Sequence, residues 1–291
     1  MPVVSKLRNS FMTAISLDFS KKTELRWLVP LVSQVQAATQ GAPWFLAGAT
    51  ARDLLLQHGY GIPTGRETRD VDFAVMVETW EIFQAIRGRL IAAGNFAEIQ
   101  DTLHRLKSGG GIVVDLVPFG AIERPDRTIA WPPDRTDVMG VFGFREALSA
   151  TLIVLLPGDI EAPVVSGAGL ALLKLVAWVD RRYTQPRKDA HDLALILRHY
   201  LDVGGAERLY SVASHLLDEV DFDYEMAGAW LLGWDMAKLL PPEGRQRIAG
   251  LLEEEANPKG RLGLVGDMPV QSDVALRLIQ QLKRGFQENR S

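Results

Sequence analysis

Two aspartates lie two positions apart in an apolar run that has the length and composition of a β-strand. Asp70 and Asp72 begin the run at residues 70–77 (DVDFAVMV), where the other positions are apolar. Because side chains alternate along a strand, we expect both carboxylates on the same face. Two adjacent negative charges repel each other by roughly 1 kcal/mol in water and about 4 kcal/mol at an intermediate dielectric. A chain keeps such a pair most easily when a cation lies between the carboxylates.

A third aspartate lies in a second apolar run. Asp115 stands within residues 112–117 (IVVDLV), where an unpaired buried charge would cost several kcal/mol. It could be an aspartate on an edge strand that pairs with a lysine or arginine. Together with Asp70 and Asp72, it favours a shared site for Mg²⁺, which prefers a few carboxylates, water and substrate phosphates to a closed protein cage. Two such ions roughly 3.5–4 Å apart would promote in-line displacement at phosphorus.

The segment before Asp70 predicts a turn that could bind phosphate. Residues 44–47 form a short apolar run typical of a buried strand, and a helical pattern starts directly after Gly48. The N-terminus of a helix offers free N–H groups and a positive dipole end to a phosphate. Gly48 permits close approach of the backbone, Thr50 has a hydroxyl to donate, and Arg52 falls in the first turn. The alternative is an ordinary strand-to-helix connection that Thr50 caps.

The C-terminal half carries a cluster of cations on predicted helices. Lys174 and Arg181 are seven positions apart and therefore share one face of a helix. Three further cations give this otherwise acidic chain a local positive surface: Arg182, Arg187 and Lys188. The alternative is a solvated helix end, where the helix dipole favours cations. Asp189 and Asp192 could in the same way cap and charge the start of the next helix.

Taken together, these motifs resemble those of known nucleotidyltransferases. Three of them resemble the pattern of the DNA polymerase β superfamily: Gly48-Ala49-x-x-Arg52, Thr68-x-Asp70-x-Asp72 and Asp115. Residues 173–182 and 187–193 look like the helical motifs of AbiEii/AbiGii-type toxins, in which the toxin is the enzyme half of a type IV toxin–antitoxin pair. The resemblance covers most of residues 40–200. It departs at Ala49, where the family usually has glycine or serine, so the turn lacks a side-chain donor there.

The resemblance implies a role for each residue of these motifs. Asp70 and Asp72 would hold the metal ions, and Asp115 would be the third ligand or the general base. The triphosphate would be bound by the turn and by two cations: Gly48, Ala49, Thr50, Arg52 and Lys174.

By the same resemblance, the helical motif would supply residues that support the catalytic site, and the substrates of the reaction are implied as well. Asp192 would orient Lys174 or the acceptor, and Asp189 and Arg181 could assist. The substrates implied are an NTP with Mg²⁺ and, as acceptor, the 3′ end of a tRNA, attacked through a ribose hydroxyl. A cognate antitoxin would be a further partner.

The remaining patterns predict an α+β fold. An amphipathic helix is predicted over residues 23–38, and residues 108–111 (SGGG) are placed to be the turn between strands at 103–107 and 112–117. Residues 124–137 predict a polar loop. By the resemblance, these elements would form a polymerase β-like mixed sheet with flanking helices.

From Gly167 onward, the periodic segments are all helical. We therefore predict a nucleotidyltransferase domain over residues 1–166 and an all-helical domain over residues 167–291.

Composition sets limits on location and partners. The chain has 291 residues, of which 47% are hydrophobic and 23% charged, as in an ordinary globular protein. It has no cysteine, which excludes thiolate metal sites and suits a reducing compartment. No apolar run approaches the roughly 20 residues of a membrane span, so we expect a cytoplasmic protein. The net charge of −4 argues against general coating of nucleic acid, although a local basic face could bind it.

Three functions are compatible with these motifs. The leading hypothesis is a Mg²⁺-dependent enzyme that moves an NMP from an NTP onto a tRNA 3′ end and releases pyrophosphate. The second keeps the reaction but has a protein acceptor, modified on a Ser, Thr or Tyr hydroxyl. The third is a catalytically inactive protein of this fold that binds a nucleotide or a partner, which Ala49 and the net acidity favour.

Overall fold

The central element of the fold is an eight-stranded mixed sheet. The structure is a computed structural model and describes residues 15–65, 70–100, 102–212, 214, 216 and 223–289. The strands are β1 (Ile15–Asp18), β2 (Trp44–Ala47), β3 (Asp70–Val77), β4 (Phe96–Glu98), β5 (Arg105–Ser108), β6 (Val113–Gly120), β9 (Thr151–Leu156) and β10 (Ile160–Val165). Their spatial order is β1-β9-β10-β2-β3-β6-β5-β4. Three neighbouring pairs are parallel, namely β1 with β9, β10 with β2 and β3 with β6, and the other pairs are antiparallel.

A separate two-stranded hairpin follows β6. Its strands, β7 (Thr128–Ala130) and β8 (Val138–Gly140), pair antiparallel. The prediction of a loop over residues 124–137 was therefore wrong at residues 128–130, which form strand β7. A three-residue strand is too short to show a period-2 pattern, and only the burial of Ile129 and Ala130 distinguishes it from the polar residues around it.

Four helices accompany the sheet in the first part of the chain. They are α1 (Val29–Thr39), α2 (Gly48–Asp53), α3 (Trp80–Ala92) and α4 (Phe144–Leu148), and α2 continues through a π-helical turn at Leu54–His58. The helix predicted over residues 23–38 is instead a single 3-10 turn at Thr23–Leu25 followed by α1. Pro30 accounts for the break, because proline lacks an N–H and is best accommodated in the first turn of a helix.

The chain after the sheet is helical, as predicted. The described residues form α5 (Gly167–Arg181), α6 (Pro186–His199), α7 (Ala206–Val212), α8 (Tyr224–Leu239), α9 (Pro242–Glu255), α10 (Gly263–Asp267) and α11 (Ser272–Glu288). The hydroxyl of Ser166 begins α5 by accepting a hydrogen bond from the Gly169 N–H at 3.2 Å. The mixed sheet with flanking helices and the helical C-terminal part confirm the predicted α+β architecture.

Two helices of this part cross at very short range. At Gly285 in α11, an added Cβ would lie 1.9 Å from the carbonyl oxygen of Trp230 in α8. No other residue type can occupy this position without separating the two backbones. The crossing therefore depends on glycine for close packing.

The change from sheet to helices occurs where the sequence predicts it. β10 ends at Val165 and α5 begins at Gly167. Buried apolar residues from both parts, among them Ala147 and Leu170, belong to one continuous core. The division into separate domains at residue 166 stays a prediction. Within the described residues, no helix is both long and apolar enough to cross a membrane.

Candidate active site

The strand register places the predicted carboxylates side by side. In the parallel pair of β3 and β6, Asp72 lies opposite Asp115. In the antiparallel pair of β5 and β6, Arg105 lies opposite the same Asp115. The three side chains therefore form one row across three neighbouring strands. Asp70 lies two positions before Asp72 on β3 and, as predicted from the alternation of side chains, faces the same cavity.

This row forms the floor of a cavity of about 590 Å³ between the sheet and the helices. The β7–β8 hairpin, α5 and the start of α6 complete its walls. The lining contains both polar and apolar residues. The charged residues on the helical side are Lys174, Arg181, Lys188 and Asp189, and the apolar residues include Phe142, Phe144 and Leu173. A cavity of this size and mixed lining is typical of a small-molecule site.

Gly48 is required because of Asp72. Its φ is +63°, in the left-handed region, and an added Cβ would lie 1.8 Å from Oδ2 of Asp72. The turn between β2 and α2 therefore packs its backbone directly against the carboxylate. Gly48 and Ala49 both line the cavity, and their contact with a nucleotide stays a prediction.

Asp72 is electrostatically unfavourable in the free protein. Burial raises its pKa first of all, the charge of Asp115 raises it further, and Lys174 and Lys188 act in the opposite direction. Across the described residues, the side chains of Asp70 and Asp72 have no hydrogen-bond or ion-pair partner. Two carboxylates with free oxygens in one cavity suit a divalent cation.

Asp115 differs from the other two carboxylates because it is already paired. Arg105 donates from Nε to Oδ1 at 2.8 Å and from Nη2 to Oδ2 at 2.9 Å. The pairing agrees with the alternative of an aspartate bound to an arginine, but β6 lies inside the sheet, so the strand is not an edge. Both oxygens of Asp115 accept from Arg105, and its roles as third metal ligand or general base stay predictions.

These contacts limit which side chains could bind a metal ion. The described residues contain no group of three or more His, Cys, Asp or Glu side chains arranged to hold a metal ion. Within these residues Asp115 does not complete a three-carboxylate group with Asp70 and Asp72, and its place in a metal site stays a prediction. Asp70 and Asp72 remain, and Mg²⁺ is commonly held by one or two carboxylates with waters and substrate phosphates. These two residues fit that mode of binding.

A buried ion network joins the turn to the helical part. Lys174 lies 2.5 Å from Oδ2 of Asp192 and 3.3 Å from Oδ1 of Asp189, and Arg52 lies 2.5 Å from Oδ1 of Asp192. Arg181 reaches Asp189 at 2.7 Å. Burial alone would raise the pKa of Asp192, but the charges of Lys174 and Arg52 outweigh it and hold this pKa below its usual value. Asp192 thus fixes Lys174, and its orienting role toward a bound substrate stays a prediction.

Two residues predicted to bind the triphosphate do not reach the cavity. Arg52 is 1% exposed, and its guanidinium contacts Asp53 and Asp192. The buried hydroxyl of Thr50 donates to the carbonyl oxygen of Asp70 at 3.2 Å. Both support the site from behind, since Thr50 fixes the start of β3 and Arg52 fixes Asp192. The predicted direct contacts of Thr50 and Arg52 are therefore corrected, and Thr68 lies outside the described residues.

Sequence reasoning missed three arginines that line the cavity. Arg127 comes from the β7–β8 hairpin, where it pairs with Glu146 at 3.0 Å, and Arg247 comes from α9 and lies 4.5 Å from the ring centre of Phe142. No local pattern links these residues to the motifs. Arg105 could have been found from the sequence. Positions 105 and 115 are equally distant from Gly110, so a hairpin centred on that glycine places them opposite each other, as the structure does.

Among the described residues, the site thus combines the unpaired carboxylates of Asp70 and Asp72 with the buried Lys174, on a mixed sheet that is followed by helices. A family model described as "Nucleotidyl transferase AbiEii toxin, Type IV TA system" matches residues 31–258. Since this match spans well over half of the chain, the protein belongs to the AbiEii family of nucleotidyltransferases and is a transferase. The family resemblance in the sequence motifs is thereby confirmed.

Solved structures give a more distant likeness. The solution structure of the antibiotic-resistance factor ANT(2'')-Ia is 14% identical over 67% of this chain and 97% of its own, with a TM-score of 0.37. The crystal structure of an antigenic nucleotidyltransferase-like protein from Paracoccidioides brasiliensis is 14% identical over 69% of this chain and 93% of its own, with a TM-score of 0.40. No curated protein sequence matches the chain.

Proposed function

We propose that this protein is a Mg²⁺-dependent transferase that moves an NMP from an NTP onto the 3′ end of a tRNA and releases pyrophosphate. The observation that carries the proposal is the pair of Asp70 and Asp72, whose carboxylates have no protein partner within the described residues and face one cavity with Lys174. Lys174, Lys188 and Arg105 lie near these carboxylates without pairing directly with them, and a divalent cation between Asp70 and Asp72 would neutralise the remaining charge.

The chain's own residues would bind and position the substrate. Asp70 and Asp72 would hold a Mg²⁺ ion that, when bound, neutralises charge on the phosphates of the nucleotide. The Gly48–Ala49 backbone lies against Asp72, where it would limit the position of the phosphates. Lys174 enters from α5 with its orientation fixed by Asp192, so it would add a positive charge at a defined place.

The rim of the cavity favours an RNA acceptor. Arg182 and Tyr183 lie between α5 and α6, and Arg187 lies in the first turn of α6 next to Lys188 in the cavity wall. Tyr183 is 82% exposed, and the guanidinium of Arg182 lies 5.2 Å from the centre of its ring. Exposed aromatic rings among cations suit the stacking of unpaired bases and contact with phosphates. This agrees with a single-stranded tRNA end as acceptor.

The family description supports a cellular role as well. Its name places these proteins in type IV toxin–antitoxin systems. We therefore propose that the protein acts as a toxin in the cytoplasm and that a cognate antitoxin limits its activity. The acceptor and the antitoxin both rest on the family and on the surface described above.

The acceptor can be identified directly. The purified protein is incubated with Mg²⁺, total tRNA and each of the four α-labelled NTPs, and the products are treated with RNase or with protease before electrophoresis. We expect label in a tRNA band that RNase removes and protease does not. Label that only protease removes would replace tRNA by a protein acceptor. Bound nucleotide without any transferred label would favour the catalytically inactive alternative.

A further inference from the structure

We propose that Arg105 is a permanent cation of the active site, which occupies the side of Asp115 where a second divalent ion would otherwise bind, so that the protein works with one metal ion. This inference rests on the proposed function, because it concerns the ions that accompany the bound NTP.

The backbone, rather than a chance side-chain conformation, places Arg105 at Asp115. The two residues are directly opposite each other in the antiparallel pair of β5 and β6, and the flanking pairs Leu106–Val114 and Lys107–Val113 keep the register. Residues directly opposite on one face have Cβ atoms about 4.5–5.5 Å apart. The arginine is therefore within reach of the carboxylate in every conformation that preserves the sheet.

The contact itself is of the strong, directional kind. Both oxygens of Asp115 accept hydrogen bonds from the guanidinium, at 2.8 Å and 2.9 Å, and Asp115 is 8% exposed. Bidentate pairs of arginine and carboxylate combine two parallel hydrogen bonds with charge attraction. An arginine guanidinium is not deprotonated in proteins. Arg105 thus stays charged.

The charge of Arg105 opposes a second ion beside Asp115. The carboxylates of Asp70, Asp72 and Asp115 and the guanidinium of Arg105 together carry a net charge of −2, from three negative charges and one positive charge, before the charges of Lys174, Lys188 and the bound nucleotide are added. One divalent ion between Asp70 and Asp72 brings this group to neutrality. A second ion would have to displace Arg105 or lie beside its positive charge, and repulsion between the two cations opposes that.

The test counts metal ions in the nucleotide complex. The protein is saturated with Mn²⁺ and, in separate samples, with the α,β-methylene analogue of each of the four NTPs. Protein-bound Mn²⁺ and protein-bound nucleotide are then measured after ultrafiltration. We expect one Mn²⁺ per bound nucleotide in the wild type and two in Arg105→Gln. Arg105→Lys, which keeps the cation, should stay at one.

Lys107→Gln is the matched control. Lys107 lies on the same strand and is exposed, and removing it changes the net charge as Arg105→Gln does without touching Asp115. It should keep one ion. Two ions in the wild type, or one in a folded Arg105→Gln, would overturn the inference while leaving the proposed function intact. If Arg105→Gln does not fold, the wild-type ratio still decides. Failure to retain any nucleotide would overturn the proposed function and this inference with it.

Discussion

At the scale of single residues, Asp72 occupies a position that costs the folded chain free energy. Its carboxylate lies against Gly48 and beside Asp115, and its pKa is raised by burial and by the neighbouring charge. Residues that weaken the fold in this way are typically kept because they bind a ligand or take part in a reaction. The pairing of Asp115 with Arg105 removes only part of the unfavourable charge.

The first prediction concerns Asp72→Asn. Without Mg²⁺, we expect this variant to be more stable than the wild type by about 1 kcal/mol, the repulsion of two unit charges about 4 Å apart in water. The pKa of Asp72 is raised in the folded state, so its ionised side chain lowers the free energy of unfolding. This loss is absent below its ordinary pKa of 3.8 and complete above the raised pKa. The gain should therefore disappear as the pH falls toward 3.8. Urea unfolding at several pH values measures it, and a loss of stability at pH 7 would contradict this account.

The second prediction concerns the buried ion network. Asp192→Ala leaves Lys174 and Arg52 without the charge between them, so we expect a loss of about 3–5 kcal/mol of unfolding free energy. The control is Glu225→Ala, which removes a half-exposed pair with Arg198 and should cost less than about 1 kcal/mol. Urea unfolding of both variants at pH 7 gives the comparison. Equal losses would mean that the buried network contributes no more than a surface pair.

The residues of the site were only partly predictable. The order and spacing of Gly48, Asp70, Asp72 and Asp115 point to the site because they depend on local strand and turn geometry. Contacts between distant elements, such as that of Arg52 with Asp192, depend on packing that no local pattern encodes. For that reason Thr50 and Arg52 were predicted to touch the nucleotide, whereas they support the site from behind.

At the scale of elements, the crossing of α8 and α11 depends on close backbone contact. An alanine at position 285 would place its Cβ 1.9 Å from the Trp230 carbonyl oxygen. We expect Gly285→Ala to lower the unfolding free energy by at least about 1–3 kcal/mol, as overpacking does. Gly250→Ala is the control, because Gly250 lies in the exposed part of α9 with open space around it, and alanine should stabilise the helix by about 0.5–1 kcal/mol. Thermal unfolding distinguishes the two, and stabilisation by Gly285→Ala would contradict the close crossing.

The sequence predicts regular elements well and irregular ones poorly. Strand β3 and the C-terminal helices follow from clear periodicity over many residues. The hairpin of β7 and β8 was missed because its strands have three residues each, and the first predicted helix is broken at a proline that still fits its apolar pattern. Short elements are held by tertiary contacts, which a window of sequence does not contain.

At the scale of the whole molecule, the cavity is a joint product of the two parts of the chain. The sheet supplies the carboxylates, and α5 supplies Lys174 through a network that reaches back to Arg52 beside the turn. The change from sheet to helices near residue 166 was predictable from composition and period. Their shared cavity was not, although the family resemblance implied that both contribute residues.

The most direct test of the central claim compares NMP transfer by the wild type, Asp72→Asn and Asp134→Asn in the presence of Mg²⁺, labelled NTP and total tRNA. Asp134 is exposed and does not line the cavity, so its variant controls for the loss of one carboxylate. We expect transfer by the wild type and by Asp134→Asn, both stopped by EDTA, and none by a folded Asp72→Asn. Transfer by Asp72→Asn at the wild-type rate would contradict it.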